Sequence, residues 1–225
     1  MKFSTILIDL DRTLFDFDKT EEIALDQTFV HFGLPFDSNA LQIYRNNNEK
    51  YWKLYEQGKI PTEQIDLCRF VDTFEEIGVA ADVAAVAEYY QRRLDFGFEL
   101  CPNARELLDA LYGKFALYIV TNGAITTQKS RLAGANVGHY FEKLFISDEI
   151  GYSKPQKEFF DYALANIDEK DLSKILIVGD SLHTDILGGK NAGIVTCLYN
   201  PQGRAADSNC DYQIDDLIKL LDIVY

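Results

Sequence analysis

The sequence predicts an α/β fold: a parallel sheet with helices on both faces and a helical subdomain inserted near the amino terminus. Three observations predict it. From residue 101 onward, short apolar runs rich in β-branched residues alternate with segments of helical spacing, and such alternation builds a parallel sheet covered on both sides. Ahead of them stands one isolated apolar run, Ile6-Leu7-Ile8, which reads as a buried strand. Between the two, residues 15–98 carry helical spacing without a convincing strand.

The first strand ends in two acids one residue apart, Asp9 and Asp11, followed by Thr13. A helix then runs through Ile23, Phe29, Val30 and Phe32 and stops near Gly33, with Pro35 beyond. A second covers 38–57, carries Leu41, Tyr44, Tyr51, Trp52 and Tyr55, and closes at Gly58. A third covers 62–77, with Thr62 as its N-cap and Gly78 as its stop. A fourth covers 82–95, alanine-rich at first and then carrying Tyr89, Tyr90 and Leu94. The aromatic residues either pack helix on helix or stack a flat ligand. The run Asn46-Asn47-Asn48 favours side-chain hydrogen bonding over helix, so it either kinks the second helix or lies exposed.

The alternating part opens with a helix at 102–112 and a strand at 116–120 that ends in Thr121-Asn122-Gly123. A helix at 126–134 and a short strand at 144–147 follow. The loop Gly151-Tyr152-Ser153-Lys154-Pro155 opens a helix that runs to about residue 166. A strand at 175–178 ends in Gly179-Asp180-Ser181, a helix covers 184–192, and strands at 194–198 and 212–214 precede a last helix at 217–224.

Composition narrows the function classes. The chain has 225 residues, 47% of them apolar, and a formal net charge of −14. That length supports a sizeable core. The acidic balance argues against a nucleic-acid polymer as partner, since phosphate backbones are met by basic surfaces, but it leaves room for a small phosphate ester held locally. No apolar run reaches the ~18 residues a membrane span needs. The chain enters its first strand at once, without the apolar stretch of a signal peptide, so a cytoplasmic protein is expected. The four cysteines, Cys68, Cys101, Cys197 and Cys210, form no CxxC pair. They are expected to be buried free thiols, with no zinc site. The three histidines show no ligand spacing to one another, and His183 is notable only for its loop.

In such a sheet, ligands bind beyond the carboxyl ends of the strands. Asp9 and Asp11 follow one strand, Thr121, Asn122 and Gly123 another, and Asp180 and Ser181 a third, with Asp185 close behind and Lys154 in a loop before a helix. All gather at one edge. Alone, Asp9 and Asp11 fit a solvated acidic turn, a divalent-metal site, or a nucleophile paired with an acid/base, and the last two are compatible.

The motifs DLDRT, VTNG, GYSKP and GDSLHTD, in that order, resemble those of the haloacid dehalogenase (HAD) superfamily of phosphatases over nearly the whole chain. The resemblance implies a Rossmann-like parallel sheet core (HAD-like) at 1–15 and 97–225, and an inserted α-helical cap at 16–96. More narrowly, DLDRTLFDFD, ITTQKSRLAGANVGHYFEKLFISDEIGYSKP and DILGGKNAG are similar to the YjjG-type pyrimidine 5′-nucleotidases. It follows from the resemblance that Asp9 attacks phosphorus and becomes an aspartyl phosphate. Asp11 protonates the leaving alcohol and then activates water, so its pKa is expected to be raised. Mg²⁺ is held by Asp9, the main-chain carbonyl of Asp11, and Asp180. Thr121, the amides of Asn122 and Gly123, and Lys154 hold the phosphate, and Asp185 supports the metal's water or Lys154.

Many members carry Gly where this chain has Arg12. Arginine has a Cβ, so the backbone at this point is not expected to need a glycine conformation. The YjjG-type enzymes also depart from Gly here. Dehalogenases of the superfamily lack the second acid, so Asp11 points to phosphate esters. The implied activity is a Mg²⁺-dependent phosphomonoesterase acting on nucleoside 5′-monophosphates of the pyrimidine type. A sugar-phosphate phosphatase or phosphosugar mutase on the same core is the alternative. A phospho-acceptor signalling domain is a distant one, disfavoured by the helical insert and by the second acid. Phe17, Tyr44, Tyr51 and Trp52 are candidate contacts to the substrate's leaving group.

Overall fold

The computed structural model describes residues 2–203 and 209–225. They form two compact units, one of residues 2–17 with 98–203 and 209–225, and one of residues 18–97.

In the second unit, helices α1 (Phe17–His31), α2 (Ser38–Glu56), α3 (Thr62–Ile77) and α4 (Val83–Leu94) follow one another, with α1 beginning one residue before the unit. α2 packs on α3, and α3 on α4. The ends obey local chemistry. Asp37 accepts from the amide of Ala40 at 2.8 Å, and Asp82 from that of Ala85 at 3.2 Å, each satisfying an orphan donor of a first turn. Gly78 stops α3 at φ 70°, a conformation glycine adopts freely. The expected cap at Thr62 sits one position too late: Pro61 is the N-cap, and no side chain caps this helix. The inward stripe of α1 also differs from expectation. Phe29 is buried with Ala24 and Leu25, whereas Ile23 and Val30 are 43% and 69% exposed.

Of the aromatic residues on α2, Tyr44 is wholly buried, its ring 5.2 Å from Phe70 and 5.6 Å from Tyr90, so it packs helix on helix. Tyr51 donates to Asp72 at 2.7 Å. Helix α2 runs unbroken through the asparagine run, and of its three members only Asn46 is exposed. Asn47 and Asn48 are buried, and their amides join helices. Asn48 donates to Glu21 at 3.1 Å and accepts from Arg69 at 3.0 Å, while Asn47 donates to Glu76 at 3.0 Å. Tertiary partners thus replace the backbone competition that makes asparagine a weak helix former. Asn48→Ala is expected to lower stability by about 1–3 kcal/mol, because buried Glu21 and Arg69 each lose a partner, and a thermal melt checks it.

The first unit holds a six-stranded sheet of β1 (Thr5–Ile8), β2 (Ala116–Thr121), β3 (Lys143–Ile146), β4 (Ile175–Gly179), β5 (Val195–Tyr199) and β6 (Tyr212–Ile214). Every pairing is parallel, in the order β3-β2-β1-β4-β5-β6. Central strands of such a sheet are buried on both faces, and β1 is buried at all four positions. Ile6 and Ile8 face a cluster with Leu107, Leu108 and Leu111 of α5 (Ala104–Leu111), whereas Leu7 faces Phe159 and Phe160 across the sheet. Further helices are α6 (Ile125–Gly134), α7 (Ser147–Ile150), α8 (Lys157–Ala165), α9 (Leu187–Asn191) and α10 (Leu220–Val224).

The predicted helix at 184–192 is shorter and has a different start. Residues 182–186 form a wide turn in which the amide of Ile186 reaches back five residues to the carbonyl of Ser181 at 3.1 Å. Among the described residues no helix is long and apolar enough to cross a membrane. The cysteines are free, as expected, but only Cys197 is buried; Cys68, Cys101 and Cys210 are half-buried.

Candidate active site

Chain order reverses around β1, with β2 on one side and β4 on the other, which makes this the switch point where an open parallel sheet binds ligands. Register aligns the strand ends. Ile8 lies opposite Ile119 of β2 and Val178 of β4, so Asp9 leaves its strand one residue ahead of Thr121 and Asp180 at the same edge.

Asp9 is 6% exposed. Its amide donates to the carbonyl of Val178 at 3.0 Å, which continues the sheet by one step. One carboxylate oxygen accepts from the Thr13 hydroxyl at 3.0 Å and the other from Lys154 Nζ at 2.7 Å. Lys154 is itself buried. Its ammonium has three protons, and all three acceptors are protein: Asp9, Asp185 at 2.6 Å and the carbonyl of Val120 at 2.9 Å. The ammonium is therefore held as a fixed positive charge against Asp9, with every proton engaged by the protein. The two carboxylates hold its pKa above the usual lysine range against the opposing pull of burial.

Asp185, fully buried, also accepts from the Ser181 amide at 3.1 Å. It fits only because position 179 is glycine: a Cβ there would stand 2.2 Å from Asp185 Oδ2. Asp9, Asp180 and Asp185 offer carboxylate oxygens that lie within 4.8 Å of one another. Burial, and then the neighbouring carboxylates, push Asp9 well above the usual carboxylate range despite Lys154. Burial first and Asp185 second push Asp180 up to about 7. Hard oxygen donors crowded in a dry place fit a divalent cation of the Mg²⁺ kind.

At the end of β2, the Thr121 hydroxyl accepts from the amide of Gly123 at 3.1 Å and from Gln128 Nε2 at 3.4 Å. A hydroxyl has two acceptor sites and one proton, so its proton remains to donate to an incoming oxygen. The Gly123 amide, expected as a phosphate donor, serves Thr121 instead. Asn122 has a further part: its side chain accepts from the amide of Lys154 at 2.8 Å and donates to its carbonyl at 2.9 Å. It pins the loop that delivers the lysine.

Residues 6–199 match the sequence profile of the haloacid dehalogenase-like hydrolases. The chain belongs to this family. Among haloacid dehalogenase-like hydrolases it is 36% identical to HAD-hydrolase YfnB of Bacillus subtilis, over 89% of this chain and 85% of that one. It is 35% identical to the pyrimidine 5′-nucleotidase YjjG of Escherichia coli, over 91% and 89%. It is 34% identical to the pyrimidine 5′-nucleotidase PynA of Streptococcus pneumoniae, over 99% and 96%. A crystal structure of YfnB bound to magnesium superposes with a TM-score of 0.93 at 34% identity, covering 100% of this chain and 99% of that one.

The hydrolase fold thus brings Asp9, Thr121, Asn122, Lys154, Asp180 and Asp185 together. The carboxylate of Asp11 stands apart from the three that converge. It is bound by Arg131 through one oxygen and by Gln128 through the other, the latter at 2.6 Å. Neither residue is among those the motifs point to. The signal was a phase conflict, since Gln128 and Arg131, three residues apart, occupy the buried face of α6 beside Leu132. Arg12 also departs from expectation. Its φ is 62°, the left-handed region, so the position does have a glycine-like backbone and the arginine tolerates it at a cost of about 1 kcal/mol. The guanidinium lies 5.1 Å from the ring centre of Phe17 and lowers the pKa of Asp180. His183 is exposed.

Proposed function

We propose that this chain is a Mg²⁺-dependent phosphomonoester hydrolase that works through an aspartyl phosphate on Asp9. Its substrates are nucleoside 5′-monophosphates of the pyrimidine type. The observation that carries the chemistry is the buried ion pair of Asp9 and Lys154 at a strand end, beside the donor hydroxyl of Thr121. A carboxylate held on one oxygen by a cation and on the other by Thr13 is oriented for attack, and the cation opposes the burial that favours its proton.

Asp9 forms a bond to phosphorus as the bond from phosphorus to the ester oxygen breaks. Asp11 gives its proton to the departing alkoxide. Water then attacks phosphorus, its proton passes to Asp11, and the bond to Asp9 breaks, which releases phosphate and restores both acids. Thr121 donates to a phosphoryl oxygen, and the fixed charge of Lys154 offsets the charge gathered there. A divalent cation held by Asp9, Asp180 and the main-chain carbonyl of Asp11, with Asp185 in support, supplies further charge neutralisation. The magnesium bound to YfnB and the shape of the carboxylate group support this choice. The nucleotide reading draws on YjjG and PynA, both named pyrimidine 5′-nucleotidases.

The test is phosphate release from pyrimidine and purine 5′-monophosphates, their deoxy forms, hexose phosphates and an aryl phosphate, with and without Mg²⁺. Preference for pyrimidine monophosphates is expected. Release from hexose phosphates alone would leave the chemistry standing and discard the nucleotide.

The carboxylate group also predicts a pH dependence. Asp180 binds its proton more tightly in the fold, at about 7, than its ordinary value of 3.8 allows in the unfolded chain. The stability it contributes is full below the lower value and is lost as pH rises through the higher one. Metal-free protein is therefore expected to melt at lower temperature as pH rises from about 5 to about 8. Mg²⁺ should reverse the loss and displace protons near neutral pH. Calorimetric titration in two buffers of different ionisation enthalpy measures that release.

A further inference from the structure

Asp11 is the one acid of the site whose carboxylate meets neither Lys154 nor the other carboxylates, and its surroundings assign it two partners. Arg131 is fully buried, its guanidinium 4.5 Å from the ring centre of Phe15 and 5.7 Å from that of Phe17. One guanidinium nitrogen meets both Asp11 Oδ1 and Gln128 Oε1, the second at 3.2 Å. Gln128, also buried, turns its amide nitrogen to Asp11 Oδ2 at 2.6 Å and to the Thr121 hydroxyl at 3.4 Å.

The orientation of that amide is fixed by chemistry. A guanidinium has donors and no acceptor. The Gln128 oxygen must face Arg131, and its nitrogen must face Asp11. A flipped amide would set oxygen against carboxylate oxygen and NH₂ against guanidinium. Both groups that touch Asp11 from α6 are therefore donors, one on each carboxyl oxygen. When Asp11 carries a proton, it cannot lie along either of those bonds. It must occupy a lone-pair direction that points away from α6.

We propose that Gln128 and Arg131 are positioning residues for Asp11. They fix the rotamer of its carboxyl group and force its proton to the side away from the helix. Through Gln128 they also hold that carboxyl group in register with Thr121. This rests on the phosphatase reading above. The role concerns only the proton transfers: delivery to the leaving oxygen, then removal from the attacking water. It does not concern the attack by Asp9. Glycine at 123 belongs to the same device, since a Cβ there would stand 2.0 Å from Gln128 Nε2.

The dependence on leaving group separates this role from a structural one. An aryl phosphate that expels p-nitrophenolate needs no proton to leave; the alkoxide of a nucleoside 5′-monophosphate does. Both routes need Asp11 again as base when the aspartyl phosphate is hydrolysed. Gln128→Met and Arg131→Lys are assayed with Mg²⁺ on p-nitrophenyl phosphate and a nucleoside 5′-monophosphate, in the steady state and in rapid mixing. With p-nitrophenyl phosphate, Gln128→Met is expected to give a burst of about one p-nitrophenolate per active site. A steady state about 10²-fold slower than wild type should follow, as a displaced acid/base predicts. On the nucleotide, kcat falls at least as far and no burst appears, while KM changes by less than about threefold.

Arg131→Lys keeps the charge but loses the fork, and should show the same burst with a smaller loss. Equal losses on both substrates without a burst, in variants that melt like wild type, would overturn the proposal. So would wild-type steady-state rates in Gln128→Met. Failure of the phosphatase reading looks different: wild type itself would release nothing from either ester, and the positioning role would fall with it.

Discussion

Asp9→Asn is expected to reduce phosphate release from every ester by about 10⁴-fold or more, the order of loss seen when a nucleophile is removed from a covalent mechanism. The substitution keeps the shape of the side chain. Lys154 is a donor and needs an acceptor, so the amide oxygen of Asn should turn toward it and the amide nitrogen toward Thr13, whose hydroxyl accepts as readily as it donates. Both contacts that orient Asp9, at 2.7 and 3.0 Å, survive in outline. Lys154 keeps its ion pair with Asp185.

The change also removes one of three crowded carboxylates, and burial and its neighbours push this one well above its usual range. Metal-free Asp9→Asn is therefore expected to melt no lower than metal-free wild type at neutral pH, and to gain less from Mg²⁺. Inactivity with an intact fold and a weaker response to Mg²⁺ identifies Asp9 as the group that reacts. Phosphate release at wild-type rates would move the nucleophile elsewhere.

Where a side chain was legible in the sequence, the reason was a strand end. Asp9, Thr121 and Asp180 each close an apolar run, and a parallel sheet admits few places for them; adjacent strands in register bring them to one edge, within a residue of one another. Lys154 was legible from its motif, although its burial between Asp9 and Asp185 was not, because that depends on three loops closing together. The helical insert was legible as spacing. Its buried polar links, such as Asn48 between Glu21 and Arg69, were not, because asparagine in a helix carries no sign of which way it points. Arg12 shows the limit of reasoning from a residue type to a backbone: its Cβ argued against a left-handed φ, and surrounding bonds impose one all the same. Its amide donates to the carbonyl of Phe15 at 2.9 Å, inside a tight turn where Thr13, Leu14 and Phe15 all donate to the carbonyl of Leu10. Gln128 and Arg131 escaped because their partner, Asp11, lies more than a hundred positions away.

Lys154→Met should be the most damaging single change in the first unit. The lysine is 2% exposed and stands between two buried carboxylates. Removing the cation leaves both without a counter-charge, and breaking a buried pair in this way costs about 3–5 kcal/mol. For a chain of this size that is a fall in melting temperature of roughly 6–20 °C. Phosphate release should be lost as well, since Asp9 would then carry a proton more of the time and attack less. The deficit has a direction with pH. Orphaned carboxylates are tolerated once protonated, so the gap between variant and wild type should narrow as pH falls.

A second substitution separates the two losses. Asp185→Asn in the Lys154→Met background removes one of the two stranded charges and should recover at least half of the lost melting temperature, because the penalty comes from the uncompensated charge and not from the missing contact. It should recover no activity, because neither change returns a cation to Asp9. If the double variant were as unstable as the single one, the destabilisation would instead arise from the packing of the lysine stem and from the bond to the carbonyl of Val120. Lys154 would then hold the loop in place without setting the charge of the nucleophile.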